Sequence, residues 1–303
     1  MTLGYSQPLY VLAFDHRGSF QSKLLGIAGT PTDEDVAKIL RAKQVIYAGF
    51  LRAYEDESDR EGLGILVDEQ FAGELARAGR DLGVAVAVPV EKSGQDEFDF
   101  EYGDQFGEHL EALDPTFAKV LVRMNVEGDR EMNRRQTERL ARLSDWLHEN
   151  DRKFLFELIV PAEPHQLAQV GGDADRYDRE LRAGLMVDAI LALQAGGVEP
   201  DIWKIEGLDT TDDCDRVARA TRAGGARDHV HCVVLGRGGN EQKVIHWLQT
   251  GAVTPGYSGF AVGRTIWWDA LTAWLEDGDD DAAAEAISAN YGRLLDAYRA
   301  AAR

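Results

Sequence analysis

Asp201-Ile202-Trp203-Lys204-Ile205-Glu206-Gly207-Leu208-Asp209 puts a lysine inside a short run that otherwise reads as a buried strand. A solvated ammonium is normally excluded from such a place. Side chains alternate along a strand, so Ile202, Lys204 and Glu206 share one face and Trp203 and Ile205 the other. A lysine held among apolar walls and beside other cations loses its proton more readily, becomes a neutral amine near neutral pH and attacks a carbonyl carbon to form a Schiff base. Lys204 is therefore read as a nucleophile. The competing reading is a structural lysine paired with Glu157 or Glu206.

Outward from this run, short apolar stretches alternate with amphipathic ones along the chain, the pattern of repeated βα units. Strands are expected at 9–15, 63–68, 84–90, 118–122, 154–160, 202–205, 229–235 and 258–262. Helices are expected at 33–54, 72–82, 129–150, 180–195, 212–223 and 241–250, with a short one near 103–113 and a long loop at 161–177. Eight strand and helix pairs in 303 residues fit a (β/α)8 TIM barrel, a single domain over 1–303, better than an open doubly wound sheet. No glycine fingerprint of a dinucleotide site or phosphate P-loop favours the open sheet. The tail 277–303 reads as an acidic loop and an alanine-rich extra helix packed on the outside.

With 44% hydrophobic and 28% charged residues, the chain has the composition of an ordinary globular protein with one large core. The formal net charge of -20 argues against nucleic acid and anionic membrane, which would be repelled over a screening length of about 8 Å. No apolar run is long enough for a membrane helix and the start lacks a signal-peptide pattern, so a cytoplasmic location is expected. Cys214 and Cys232 have neither zinc-ribbon nor redox spacing and are expected as reduced thiols. A homo-oligomer is compatible with all of this.

In such barrels the site lies at the C-terminal ends of the strands. With inward parity the sequence puts there Asp15 and Arg17 (FDHRG), Asp68 (LVDEQF), Glu91 and Lys92 (VPVEKSG), Lys119, Arg123 and Asn125 (AKVLVRMN), Glu157 (FLFELIVP), and Lys204 with Glu206. A buried Glu157 needs a cationic partner. Lys119 and Lys204 are expected to approach one another, each depressing the other's proton affinity, with Glu157 exchanging protons with a substrate. The turns LGRGGNE and FAVGRTIW supply Gly236, Arg237, Gly238, Gly263 and Arg264 as a phosphate cradle, since exposed backbone amides and a helix N-terminus attract anions. His16 falls on the helix side by parity, and Trp203, Trp267 and Trp268 are read as packing residues.

FDHRG (14–18), VDEQF (67–71), PVEKSGQDEFDFEYG (89–103), VLVRMN (120–125), FELIVP (156–161), DIWKIEGLD (201–209), VVLGRGG (233–239) and GFAVGRTIW (259–267) together resemble the aldolase-like domain fused to many 5-dehydro-2-deoxygluconokinases of bacterial myo-inositol breakdown. That domain is distantly similar to class I tagatose-bisphosphate and sulfofructose-phosphate aldolases, barrels that work through a lysine Schiff base. The resemblance implies Lys204 as the Schiff-base lysine, Lys119, Glu157 and Asp15 as assisting groups, and Arg264 as a phosphate ligand. The chain departs from the bisphosphate aldolases in having LGRGG where those carry a serine-containing turn.

The expected activity is cleavage of a phosphorylated keto acid, 2-deoxy-5-keto-gluconate 6-phosphate by resemblance, to dihydroxyacetone phosphate and malonate semialdehyde. Arg17, Lys92 or Arg123 would hold the carboxylate, and Asp68 and Glu206 would assist binding. A class I aldolase for a ketose bisphosphate or sulfofructose phosphate, and a non-catalytic phosphosugar sensor, are the alternatives. The carboxylates Asp15, Asp68, Glu91, Glu157 and Glu206 also admit a Mg2+ or Mn2+ lyase. Lys119 and Lys204 would repel such a cation, so no metal and no cofactor is expected.

Overall fold

The computed structural model describes residues 2–303; Met1, first residue of the domain expected over 1–303, lies outside them. The chain runs β1 (Leu9–Ala13), α1 (Asp33–Asp56), β2 (Leu63–Leu66), α2 (Glu69–Leu82), β3 (Ala85–Pro89), α3 (Phe106–Leu113), β4 (Phe117–Arg123), α4 (Arg130–Glu149) and β5 (Lys153–Ile159). Next come α5 (Pro164–Gln169), α6 (Ala174–Glu180), α7 (Arg182–Ala195), β6 (Ile202–Glu206), α8 (Thr211–Thr221), β7 (His231–Leu235), α9 (Glu241–Ala252), β8 (Tyr257–Val262), α10 (Arg264–Asp277) and α11 (Asp280–Ala301). The eight strands pair in sequence order, all parallel, and β8 closes on β1. This is the (β/α)8 barrel. The strands read as apolar runs because both faces are covered, one by the barrel interior and one by the helices.

Parity sorts each strand into two cores. Leu9, Val11, Ala13, Leu66, Ala87, Phe117, Leu155, Ile202, Val233 and Ala261 fill the barrel interior. Their outward neighbours join the helices in a second, larger core. Tyr5 meets Phe117 edge-on at 5.0 Å between centroids against this inner cluster. Beyond the apolar layers, toward the C-terminal ends, the inward positions turn charged: Lys119 is opposite Leu155 in the β4–β5 register, and Glu157 is opposite Lys204 between β5 and β6. Among the described residues no helix is long and apolar enough to cross a membrane. Cys214 and Cys232 are free and buried.

One part of the architecture differs from the sequence expectation. The 161–177 loop contains α5 and leads into α6. Pro161 precedes α5, and Gly171 and Gly172 lie in the turn that follows it, punctuation that on its own reads as loop. The tail helix α11 packs on the outside of the barrel, as expected. Its Tyr291 is fully buried, donates its hydroxyl to Tyr10 O of β1 at 2.6 Å, and contacts the rings of Phe260 on β8 and Phe50 on α1. It therefore covers the seam where β8 meets β1. We predict that Tyr291→Ala lowers stability to urea by about 3–5 kcal/mol, the cost of a large buried aromatic. A loss under about 1 kcal/mol, the size of a surface effect, would mean that α11 is merely appended.

Candidate active site

A cavity of about 490 Å³ opens among the strand ends, and Asp15, Lys119, Glu157 and Lys204 all line it. Lys204 is 3% exposed and its Nζ donates to Glu157 Oε2 at 2.9 Å. Lys119, 1% exposed, lies 3.1 Å from the same oxygen and donates to Asp15 Oδ2 at 2.8 Å and Glu91 Oε1 at 2.7 Å. One carboxylate oxygen thus bridges two lysines. Because these residues sit on β4, β5 and β6, their separation is set by strand spacing, and the rigid sheet holds them in reach of one small molecule.

The charges correct one expectation. Burial works against the Lys119 ammonium, but the attraction of Asp15, Glu157 and Glu91 outweighs it, and the pKa of Lys119 rises well above that of a free lysine. It is not depressed by its lysine neighbour. Burial likewise opposes charge on Asp15, yet Lys119, then His16 and Lys204, hold its carboxyl well below the usual range. Glu157 is lowered in the same way, Lys119 and Lys204 prevailing over burial. For Glu91 burial prevails and the pKa rises in spite of Lys119.

The two loops expected to cradle an anion offer fewer free cations than expected. Gly236, Arg237, Gly238, Gly263 and Arg264 all line the cavity, joined by Thr265, whose hydroxyl donates to Gly239 O at 3.0 Å and ties the two loops together. Gly238 has φ +71°, which favours glycine, and a Cβ there would lie 2.7 Å from Arg264 Cζ and push that guanidinium aside. Arg237 is committed elsewhere. Its Nε lies 2.9 Å from Glu206 Oε1 and its Nη1 2.5 Å from Asp178 Oδ2, so its charge is matched by two carboxylates. By contrast, no carboxylate of the described residues pairs with Arg264, Arg123 or Lys23, and all three line the cavity.

The remaining candidates divide. Arg17 lines the cavity but bonds Glu101 Oε2 at 2.7 Å and Glu91 O at 2.6 Å. Lys92 is at the rim, 43% exposed and 3.0 Å from Asp99. Arg123 donates to Gln95 O at 3.0 Å. Glu206 is buried, accepts from Val160 N–H at 3.0 Å, and its pKa is raised, by burial first, against Arg182 and Arg237. Asp68 does not reach the cavity. The β2 strand ends at Leu66, and Asp68 turns outward as the N-cap of α2, fully buried against Lys43. Trp203 and Trp267 are fully buried packing residues, Trp267 also donating to Ala13 O at 2.9 Å, and Trp268 packs against the same core.

Three participants escaped the sequence reading. His16 lines the cavity, its ring edge-on to Trp267 at 5.3 Å and its Nδ1 3.8 Å from Asp15, just past the end of β1. Lys43 occupies the Ile39, Ile46 and Phe50 stripe of α1, a lysine in an apolar helical face that could have been flagged. Lys23, on a short π-turn at Phe20–Leu24, had no signal.

A family model described as "Uncharacterized protein conserved in bacteria (DUF2090)" matches residues 4–302. The chain belongs to that family. Comparison with curated proteins finds no match for this DUF2090 member. Among solved structures it resembles the fructose-bisphosphate aldolase of Plasmodium falciparum, solved with TRAP and a small-molecule inhibitor, at 14% identity and a TM-score of 0.63 over 98% of this chain and 92% of that one. A Schiff-base-forming fructose-1,6-bisphosphate aldolase matches at 15% identity and a TM-score of 0.55, covering 95% and 94%. An archaeal fructose 1,6-bisphosphate aldolase matches at 15% and 0.54, covering 95% of each chain. At these identities the likeness establishes a shared barrel fold.

Burial, only partly offset by Asp15 and reinforced by Lys204 and Arg264, pushes His16, a quarter exposed at the cavity wall, from 6.5 down to about 4. The folded state thus binds the proton less readily than the unfolded chain. Its contribution to stability is complete above about pH 6.5 and is lost as pH falls toward about 4. We predict that urea stability declines across that window and that His16→Gln flattens the decline; an unchanged profile would contradict a lowered proton affinity of His16.

Proposed function

We propose that this DUF2090 protein is a class I aldolase in which Lys204 forms the Schiff base. The observation that carries the reading is the Glu157 oxygen shared by Lys204 and Lys119, at 2.9 and 3.1 Å. It supplies an amine, a proton carrier and a fixed cation in one buried layer. Glu157 takes a proton from Lys204, whose nitrogen adds to the substrate ketone. Glu157 then returns that proton to the departing hydroxyl, and water leaves. The resulting iminium draws electrons from the bond between the α and β carbons, leaving an enamine. Asp15, kept ionised by Lys119, accepts the proton of the hydroxyl whose carbon becomes the product aldehyde. Protonation of the enamine and hydrolysis release the second product and restore Lys204. Lys119 stabilises the negative charge that builds on oxygen throughout.

Cation placement supports a substrate charged at both ends. Arg264 with Gly238 and Thr265 stands on the β7 and β8 side, where the start of the fourteen-residue helix α10 adds positive potential for a phosphate. Arg123 ends β4, four strands around the closed ring from β8, and suits a carboxylate. A phosphorylated keto acid matches that spacing of charge, with 2-deoxy-5-keto-gluconate 6-phosphate as the specific candidate. Cleavage between its C3 and C4 yields malonate semialdehyde and dihydroxyacetone phosphate. The Schiff-base aldolases that share the fold are consistent with the same chemistry.

The test is borohydride trapping. With dihydroxyacetone phosphate, reduction is expected to leave a stable adduct that peptide mapping places on Lys204, and Lys204→Met is expected to leave none. Glu157→Gln should slow imine formation by about 10²–10³-fold, as for loss of a general acid-base group. Saturable binding without an adduct would indicate a sensor, and an adduct on Lys119 would overturn the assignment.

A further inference from the structure

Just past Ala13 the first strand loses one neighbour. The β1–β2 ladder runs to Ala13 and Leu66, with a last bond of 2.8 Å from Phe14 N–H to Leu66 O. Then β2 gives way to α2 at Asp68, while Asp15 must still point into the barrel. A single side chain stands where the strand would have continued. Lys43 of α1 donates to Phe14 O at 2.8 Å and to His16 O at 3.2 Å, and pairs with Asp68 Oδ2. Carbonyls two residues apart on an extended chain point the same way, so one ammonium with three donors can serve both. The residue between them is Asp15.

The location calls for more than packing. Lys43 and Asp68 are both fully buried, and a wholly desolvated ion pair is no more stabilising than apolar residues of the same volume. Asp68 also couples the pair to the turn that ends β2, since its other oxygen accepts from Phe71 N–H at 2.8 Å. The ring of Phe20 lies 5.4 Å from the Lys43 ammonium and closes the far side. Lys204 and Glu157 are fixed separately, by the β5–β6 register.

We propose that Lys43, anchored by Asp68, is a positioning residue that holds Phe14 to His16 extended and so aims Asp15 at Lys119 and the reacting hydroxyl. The catalytic part of this claim rests on the aldolase reading above. Loss of the clamp impairs the step assigned to Asp15, bond cleavage, and spares imine formation on Lys204.

The experiment compares the parent with Lys43→Met and with the double variant Lys43→Met, Asp68→Asn, which removes both charges and keeps a capping side chain. Amide hydrogen exchange without substrate is expected to quicken about tenfold over 14–18 and to stay unchanged in β5 and β6. Borohydride trapping of dihydroxyacetone phosphate is expected within about twofold of the parent, while kcat for 2-deoxy-5-keto-gluconate 6-phosphate falls about 100-fold with little change in KM. Unaltered exchange over 14–18 in the double variant, or cleavage lost only in proportion to trapping, would overturn the proposal. If the parent itself traps nothing, the aldolase reading fails, and the exchange result alone decides whether Lys43 holds the Asp15 segment.

Discussion

One ammonium, on Lys119, organises the inside of this barrel. It sits within 3.1 Å of carboxylates from three other segments, Asp15 after β1, Glu91 after β3 and Glu157 on β5. Each of these acids would be costly to bury alone; Lys119 outweighs that cost for Asp15 and Glu157, while for Glu91 burial still prevails. The charged layer begins where the apolar filling of the barrel stops, one inward position above Phe117, Leu155 and Ile202. A dry floor strengthens every charge interaction above it. The same arrangement keeps Asp15 and Glu157 ionised, so both are bases at neutral pH although both are buried.

The layers outside the strands serve this arrangement. Lys43 and Asp68 carry the order of the outer helices inward to the backbone on either side of Asp15. On the opposite side, Arg237 holds a left-handed backbone at φ 49° and joins Glu206 of β6 to Asp178 of α6, while Arg182 of α7 reaches Gly207 O at 2.9 Å. A non-glycine residue in that region is strained, and such strain persists only where its surroundings over-determine it. The result is a wall of matched charges, beside which Arg264, Arg123 and Lys23 stand out as cations that no carboxylate of the described residues pairs.

Much of this was legible in the residues. Eight parallel strands, covered on both faces, show as apolar runs at regular spacing, and alternation then decides which polar residues face inward. That logic located Lys119, Glu157 and Lys204. It failed where the chain leaves the strand: Asp68 has inward parity but follows the end of β2, and His16 has outward parity but follows the end of β1. Partnerships between distant segments were beyond it. Nothing local reveals that Arg237 meets Asp178, or that three carboxylates converge on Lys119 and raise its proton affinity. The contacts of Tyr291 on α11 with Tyr10 and Phe50 join residues more than two hundred positions apart along the chain, and no local pattern marks them.

Neutron diffraction from deuterium-exchanged crystals at neutral pH would test the central claim most directly, because it locates the protons on the buried groups. The account predicts three deuterons on Lys119 Nζ, directed at Asp15, Glu91 and Glu157, with no deuteron on the Asp15 carboxylate. A neutral Lys119, or a deuteron on Asp15, would contradict it.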